Sequence, residues 1–92
     1  MDKVCRHVYL SGRVQGVGFR AFTRRNAQKL GVSGWVKNLS DGRVEAVIYG
    51  DRDKVEDLIS RMETGPSLAE VEDIEVEEQK TPPAEKDFQI RY

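Results

Sequence analysis

A glycine-rich segment at residues 12–20, Gly-Arg-Val-Gln-Gly-Val-Gly-Phe-Arg, carries residue types that bind anions. Gly16 and Gly18 accept positive φ values, which lets consecutive backbone N–H groups turn toward one point. Because a helix is predicted to begin just after these glycines, its unpaired N–H groups would join the same cradle. A loop that only makes a tight turn would contain the same glycines, so the loop alone leaves both interpretations open.

Arg20 favours the anion-binding interpretation. It falls at the start of the predicted helix, where a positive charge opposes the helix dipole at a cost of about 0.3–1 kcal/mol. No Asp or Glu occurs between Lys3 and Lys37 to compensate this charge. The planar guanidinium of arginine donates two parallel hydrogen bonds to a phosphate group. We therefore predict a phosphate site here, with Arg24 and Arg25 on a solvated helix face.

Two nucleotide-binding motifs do not explain this loop. The spacing of Gly16, Gly18 and Ala21 fits the dinucleotide-binding fingerprint. A chain of 92 residues with paired second and third strands does not, however, build a doubly wound parallel sheet. The Gly-Lys-Ser/Thr ending of a Walker A loop is missing from residues 12–20.

Three further side chains could take part in chemistry. Asn38 ends the second predicted strand, where its amide could hold a water molecule against an anion or could simply form the hairpin turn. Cys5 and His7 share one face of the first predicted strand, and a thiolate nucleophile is conceivable there. A cysteine phosphatase places its cysteine at the start of the phosphate loop, whereas Cys5 lies well before it. We therefore predict no catalytic role for Cys5 or His7.

The hydrophobic pattern predicts five strands and two helices that would position these residues. Strands are expected at 4–10, 33–37, 43–49, 71–78 and 88–92, and the first helix at 19–30. The second helix would be capped by Asp51 and stopped by residues 64–67. This order is typical of the ferredoxin-like βαββαβ sandwich, an α+β fold. We expect an antiparallel sheet, two helices on one face and a short C-terminal strand.

The periodicity also predicts which residues face the core. On the helices and the fourth strand, the inward residues are predicted to be Phe19, Phe22, Ala27, Leu30, Val55, Leu58, Ile59, Met62, Ile74 and Val76. Gly31 is predicted to end the first helix.

Length and composition set limits on the class of protein. With 92 residues, the chain is predicted to form a single domain, 1–92. One cysteine and one histidine exclude an internal disulfide and multi-histidine or four-cysteine metal sites. No apolar run approaches a membrane span and no signal-peptide core is present, so we expect a cytoplasmic protein with no membrane partner.

The charge is unevenly divided along the chain. Residues 1–40 hold eight basic residues and one acidic residue, whereas residues 41–92 hold seven basic and fifteen acidic residues. The net charge is only −1, and a nucleic-acid binder would more often be basic overall. The division instead favours an anion site in the first half, although solvated charged faces would give a similar count.

The quoted motifs together resemble the acylphosphatase family. Residues 12–20 are followed by Gly-Trp-Val-Lys-Asn at 34–38 and Asp-Gly-Arg-Val-Glu at 41–45, and the resemblance extends through 65–66 to the closing residues 88–92. It implies a ferredoxin-like enzyme that hydrolyses the carboxyl–phosphate bond of acyl phosphates without a metal or other cofactor. It also implies that Arg20 binds the phosphate group and that Asn38 orients the attacking water.

The resemblance further assigns the phosphate-binding backbone to one run of residues: Gln15, Gly16, Val17, Gly18, Phe19 and Arg20. The expected ligands are a small acyl phosphate and, as competitors, inorganic phosphate or sulfate. The expected state is a monomer.

Domains with this topology can also have two other functions. An RNA-binding module would use Tyr9 on the first strand and two stacking aromatics on the third strand. The third strand instead has Glu45 and Val47 where rings are expected, so we do not predict a nucleic-acid partner. A non-catalytic small-ligand domain is the second alternative, and hydrolysis of a simple acyl phosphate would distinguish an enzyme from both.

Overall fold

The computed structural model describes residues 2–92, in which two helices pack on one face of a five-stranded sheet. The strands are β1 (Lys3–Arg13), β2 (Ser33–Asn38), β3 (Val44–Asp51), β4 (Glu70–Glu78) and β5 (Phe88–Arg91). The helices are α1 (Phe19–Leu30) and α2 (Arg52–Thr64). The order of elements confirms the ferredoxin-like prediction. Neither helix within residues 2–92 has the length and apolar character needed to span a bilayer.

The sheet order is β4-β1-β3-β2-β5, and the pairing of the last strand is one that the prediction did not specify. The first four strands pair antiparallel, as expected, but β5 runs parallel to β2. Ile90 lies opposite Val36 and Arg91 opposite Lys37, so the end of β5 lies beside the end of β2. The sheet is therefore mixed, and its parallel edge brings the last residues close to Asn38.

The core lies between the sheet and the helices. Val55, Leu58 and Met62 of α2 are fully buried, as their spacing predicts. On α1 the buried residues are Phe19, Thr23 and Ala27, whereas the predicted Phe22 and Leu30 are only half-buried. The side of α1 that faces the sheet is therefore the one formed by residues 19, 23 and 27. Burial of the Thr23 hydroxyl costs little because it donates a hydrogen bond to the Phe19 carbonyl at 2.9 Å.

Three local predictions hold only in part. Asp51 occupies the predicted N-cap position of α2, but its side chain makes no hydrogen bond to the helix; it also ends β3, and its carboxylate pairs with Lys3 at 2.8 Å. Val76 lies opposite the core residue Val8 and so shares its face of the sheet as predicted, but it is 43% exposed because β4 is an edge strand. The first strand does not stop at residue 10 but continues to Arg13 through a register shift between Ser11 and Gly12.

Candidate active site

The loop at residues 14–18 joins β1 to α1 and has the predicted backbone conformation. Gly16 and Gly18 have φ values of 75° and 78°. A side chain at either position would meet no atom within 4 Å, so glycine is needed here for its conformation and not for space. The loop therefore curves as an anion-binding nest requires.

The N-terminal end of α1 supplies unpaired donors to this loop. Gly18 is the N-cap, no side chain caps the helix, and its first turn contains no acidic residue. The first intrahelical bond recorded runs from the Phe22 N–H to the Gly18 carbonyl at 3.0 Å. Within residues 2–92, the backbone N–H groups of residues 15–20 have no protein acceptor. Six consecutive donors without protein acceptors, at the positive end of a helix, are chemically suited to donate to the oxygens of an anion.

The side chain of Gln15 ties the loop to the β2–β3 hairpin. Its Nε2 donates to the Leu39 carbonyl at 2.7 Å and to the Arg43 carbonyl at 2.8 Å. The Leu39 N–H also donates to the Arg43 carbonyl, so one amide group closes the base of the turn that follows Asn38. Gln15 was predicted to contribute only its backbone. Its side chain couples the position of the loop to that of Asn38.

Arg20, the second residue of α1, is oriented by the C-terminal strand. Its Nη1 donates to the Arg91 carbonyl at 3.2 Å, and its guanidinium carbon lies 4.7 Å from the centroid of the Tyr92 ring. No carboxylate within residues 2–92 forms an ion pair with it. Its other N–H groups are therefore available to a ligand.

Arg91 is itself held on both sides. Its guanidinium pairs with the Glu85 carboxylate and stacks over the Trp35 ring at 4.4 Å from the centroid. The hydrogen bond from Arg91 lowers the pKa of Glu85, so this carboxylate stays ionised over a wider pH range. These contacts fix the register of β5 and hence the carbonyl that orients Arg20. The sequence offered no local signal for this arrangement, because it joins residues 71 positions apart.

Asn38 is the last residue of β2, and its side-chain oxygen has no partner. Oδ1 is buried, and it accepts no hydrogen bond from residues 2–92. A buried polar atom left in this state costs about 1–3 kcal/mol. No residue other than glycine within 2–92 has a positive φ, so the turn makes no use of the tolerance of asparagine for that conformation. The hairpin interpretation therefore loses its main support, and the Asn38 oxygen is available to accept a hydrogen bond from a bound group.

One cavity of about 210 Å³ brings most of the predicted residues together. Its lining residues are Val14, Gly16, Gly18, Phe19, Arg20, Ala21, Asn38, Ile90 and Tyr92. Two predicted loop residues are not among its lining residues: Val17 packs against the core, and the Gln15 side chain turns to the hairpin. Sequence reasoning missed four of the lining residues: Val14, Ala21, Ile90 and Tyr92.

Cys5 and His7 lie away from this cavity. Burial raises the pKa of the Cys5 thiol, which makes it a poorer nucleophile at neutral pH. The His7 Nε2 lies 2.6 Å from a Glu45 carboxylate oxygen, and its ring stacks on Tyr9 on the open face of the sheet. No group of three or more His, Cys, Asp or Glu side chains in residues 2–92 is placed to hold a metal ion.

Comparison with known proteins adds family information to this geometry. The family model described as Acylphosphatase matches residues 6–90. The chain is 51% identical to an acylphosphatase of Roseiflexus sp. over 98% of its own length and 97% of that protein. It is 60% identical to one of Chloroflexus aurantiacus over 83% of each chain. The crystal structure of acylphosphatase from Bacillus subtilis superposes with a TM-score of 0.92 at 36% identity, covering 97% and 99% of the two chains.

Proposed function

The chain belongs to the acylphosphatase family, and from that premise we propose that Arg20, Asn38 and the backbone of residues 15–20 carry out the hydrolysis of acyl phosphates. Enzymes of this family act on small acyl phosphates. The observation that carries the assignment is the shared cavity. Unpaired N–H donors, a guanidinium free of carboxylates and a buried amide oxygen without a partner all border it.

The cradle and Arg20 bind the phosphate group of the substrate. The N–H groups of residues 15–20 donate to its oxygens, and the positive end of α1 stabilises their charge. Arg20 adds a planar pair of donors from one side. Since the donors are already oriented, little reorganisation is needed when charge builds up on the phosphate oxygens in the transition state.

Asn38 positions the attacking water. Its Oδ1 accepts a hydrogen bond from the water, which directs the oxygen lone pair toward phosphorus without placing a second negative charge beside the phosphate. The water oxygen bonds to phosphorus as the bond from phosphorus to the acyl oxygen breaks, and the carboxylate leaves with the electron pair. A phosphate oxygen takes the proton of the water. Because a carboxylate leaves readily, positioning and charge stabilisation supply most of the catalysis.

The finer expectations extend this proposal. Inorganic phosphate and sulfate compete with substrate, because both fit the same oxyanion cradle. We propose a monomer, since the phosphate donors and Asn38 already border one cavity without a residue from a second copy. Its single cysteine leaves no internal disulfide, in keeping with a cytoplasmic location.

Hydrolysis of benzoyl phosphate in excess chelator tests the proposed function. We expect steady-state turnover that persists with EDTA, because the chain supplies the phosphate donors and the water-positioning group itself. Inorganic phosphate and sulfate should inhibit competitively. A rate equal to the uncatalysed background would contradict the proposal.

The Gln15→Ala variant should weaken phosphate binding about tenfold. The substitution removes two hydrogen bonds that hold the loop to the hairpin, each contributing about 0.5–1.5 kcal/mol. Titration with inorganic phosphate, followed by amide NMR shifts, gives the dissociation constant and should move residues 15–20 first. Gln28→Ala is the matched control, because Gln28 is exposed on α1 outside the cavity. Equal affinities in the two variants would contradict a positioning role for Gln15.

A further inference from the structure

A second cavity adjoins the proposed active site. It has a volume of about 320 Å³, and its lining residues are Arg24, Asp87, Phe88, Gln89, Ile90 and Tyr92. Ile90 and Tyr92 also line the first cavity, so the two spaces meet at these side chains. An acyl group larger than acetyl extends beyond the phosphate cradle, and this neighbouring space can receive it.

Arg24 gives the second cavity a free positive charge. It lies four residues after Arg20, which places both guanidinium groups on the same side of α1, one turn apart. Within residues 2–92, Arg24 forms no ion pair, and its side chain donates no hydrogen bond. It is exposed, so a ligand can reach it.

The acid in this cavity does not neutralise Arg24. Asp87 lines the same space, but it is not within ion-pair distance of Arg24. Its Oδ1 accepts a hydrogen bond from the Gln89 Nε2 at 3.2 Å. Ile90 and Tyr92 provide apolar contact between the phosphate cradle and Arg24. The two joined cavities thus have one guanidinium group at each end, Arg20 and Arg24, with an apolar surface between them.

We propose that this second cavity binds the acyl part of the substrate and that Arg24 selects acyl phosphates whose acyl group carries a carboxylate. The inference rests on the proposed function, since it needs the phosphate group in the first cavity. Arg24 then acts as a specificity-determining residue that touches the far end of the substrate. A neutral acyl group would occupy the same space without the charge-assisted hydrogen bond.

A pair of isosteric substrates tests this proposal. The substrates are 4-carboxybenzoyl phosphate and 4-carbamoylbenzoyl phosphate, whose terminal groups differ in charge but hardly in size. In the parent enzyme we expect kcat/KM to be about fivefold higher for the carboxylate, the upper range for an exposed ion pair. The preference should shrink at high salt, because the pair is exposed to solvent.

Variants at Arg24 assign the preference to that residue. Arg24→Gln should bring the ratio of kcat/KM for the carboxylate and carbamoyl substrates to about one. Arg24→Glu should reverse the preference in favour of the carbamoyl substrate. Arg25→Gln is the control: Arg25 is the exposed neighbour that lines neither cavity, and its loss should leave the ratio unchanged.

The outcomes separate this proposal from the proposed function. Equal kcat/KM values in the parent enzyme, or a preference that survives Arg24→Glu, would overturn the role of Arg24 while leaving hydrolysis intact. Preference for the carbamoyl substrate in the parent would point to Asp87 as the dominant charge and would also overturn it. Failure to hydrolyse either substrate, together with benzoyl phosphate, would instead overturn the proposed function.

Discussion

The Asn38→Ala variant is expected to have a turnover number about 10²–10³-fold below that of the parent while retaining its affinity for inorganic phosphate. The amide oxygen would contact the attacking water and not the phosphate, so its removal affects the transition state more than binding. Because Oδ1 has no protein partner, its loss should not lower the free energy of unfolding. The measurements are kcat at saturating benzoyl phosphate, the inhibition constant for phosphate and a urea denaturation curve.

Two further variants sharpen this test. Ser40→Ala changes an exposed residue of the same hairpin and should keep parental turnover. Asn38→Asp keeps the size of the side chain but places a carboxylate beside an anionic substrate, so its turnover should also be poor. A folded Asn38→Ala protein with near-parental kcat would refute the assignment of Asn38 to the water.

The Arg20→Lys variant is expected to have a kcat/KM at least about 10²-fold below that of the parent and to bind phosphate weakly. Lysine keeps the positive charge but lacks the planar fork, so it loses the bidentate hydrogen bonds to the phosphate oxygens. It also lacks the extended guanidinium that donates to the Arg91 carbonyl while covering the Tyr92 ring. Both binding and turnover should therefore fall, unlike the effect of Asn38→Ala.

Steady-state kinetics and phosphate inhibition measure this effect. Arg25→Lys makes the same chemical change on the same helix outside the cavity, and it should behave like the parent. Parental kinetics in Arg20→Lys would show that charge alone suffices and that the fork is not used.

Local sequence patterns predicted the parts of the site that local structure builds. Gly16 and Gly18 need only their own backbone conformation, and Arg20 needs only its place in the first turn of α1. The strand pattern placed Asn38 at the end of β2, whereas its role toward the attacking water came from the resemblance to the family. These features depend on residues within a few positions of each other, so they can be predicted from short sequence motifs.

The contacts that orient those residues could not be predicted in this way. The Gln15 amide reaches residues 24 and 28 positions away, and Arg20 reaches the carbonyl of Arg91. The parallel pairing of β5 with β2 creates the second of these contacts. Similarly, the exposure of Val76 depends on β4 being an edge strand, which alternation of apolar residues does not encode.

The C-terminal end of β5, a short edge strand, separates catalytic competence from global stability. Of the residues in this four-residue strand only Phe88 is buried, and Tyr92 beyond it is 96% exposed. Such a segment can open locally with a free energy well below that of the core. Each opening removes the carbonyl that orients Arg20 and one wall of the cavity, while the four antiparallel strands stay intact. We therefore expect amide hydrogen exchange at residues 90–91 to report the inactive fraction of otherwise folded molecules, and activity to disappear at a lower temperature than the one at which the core melts.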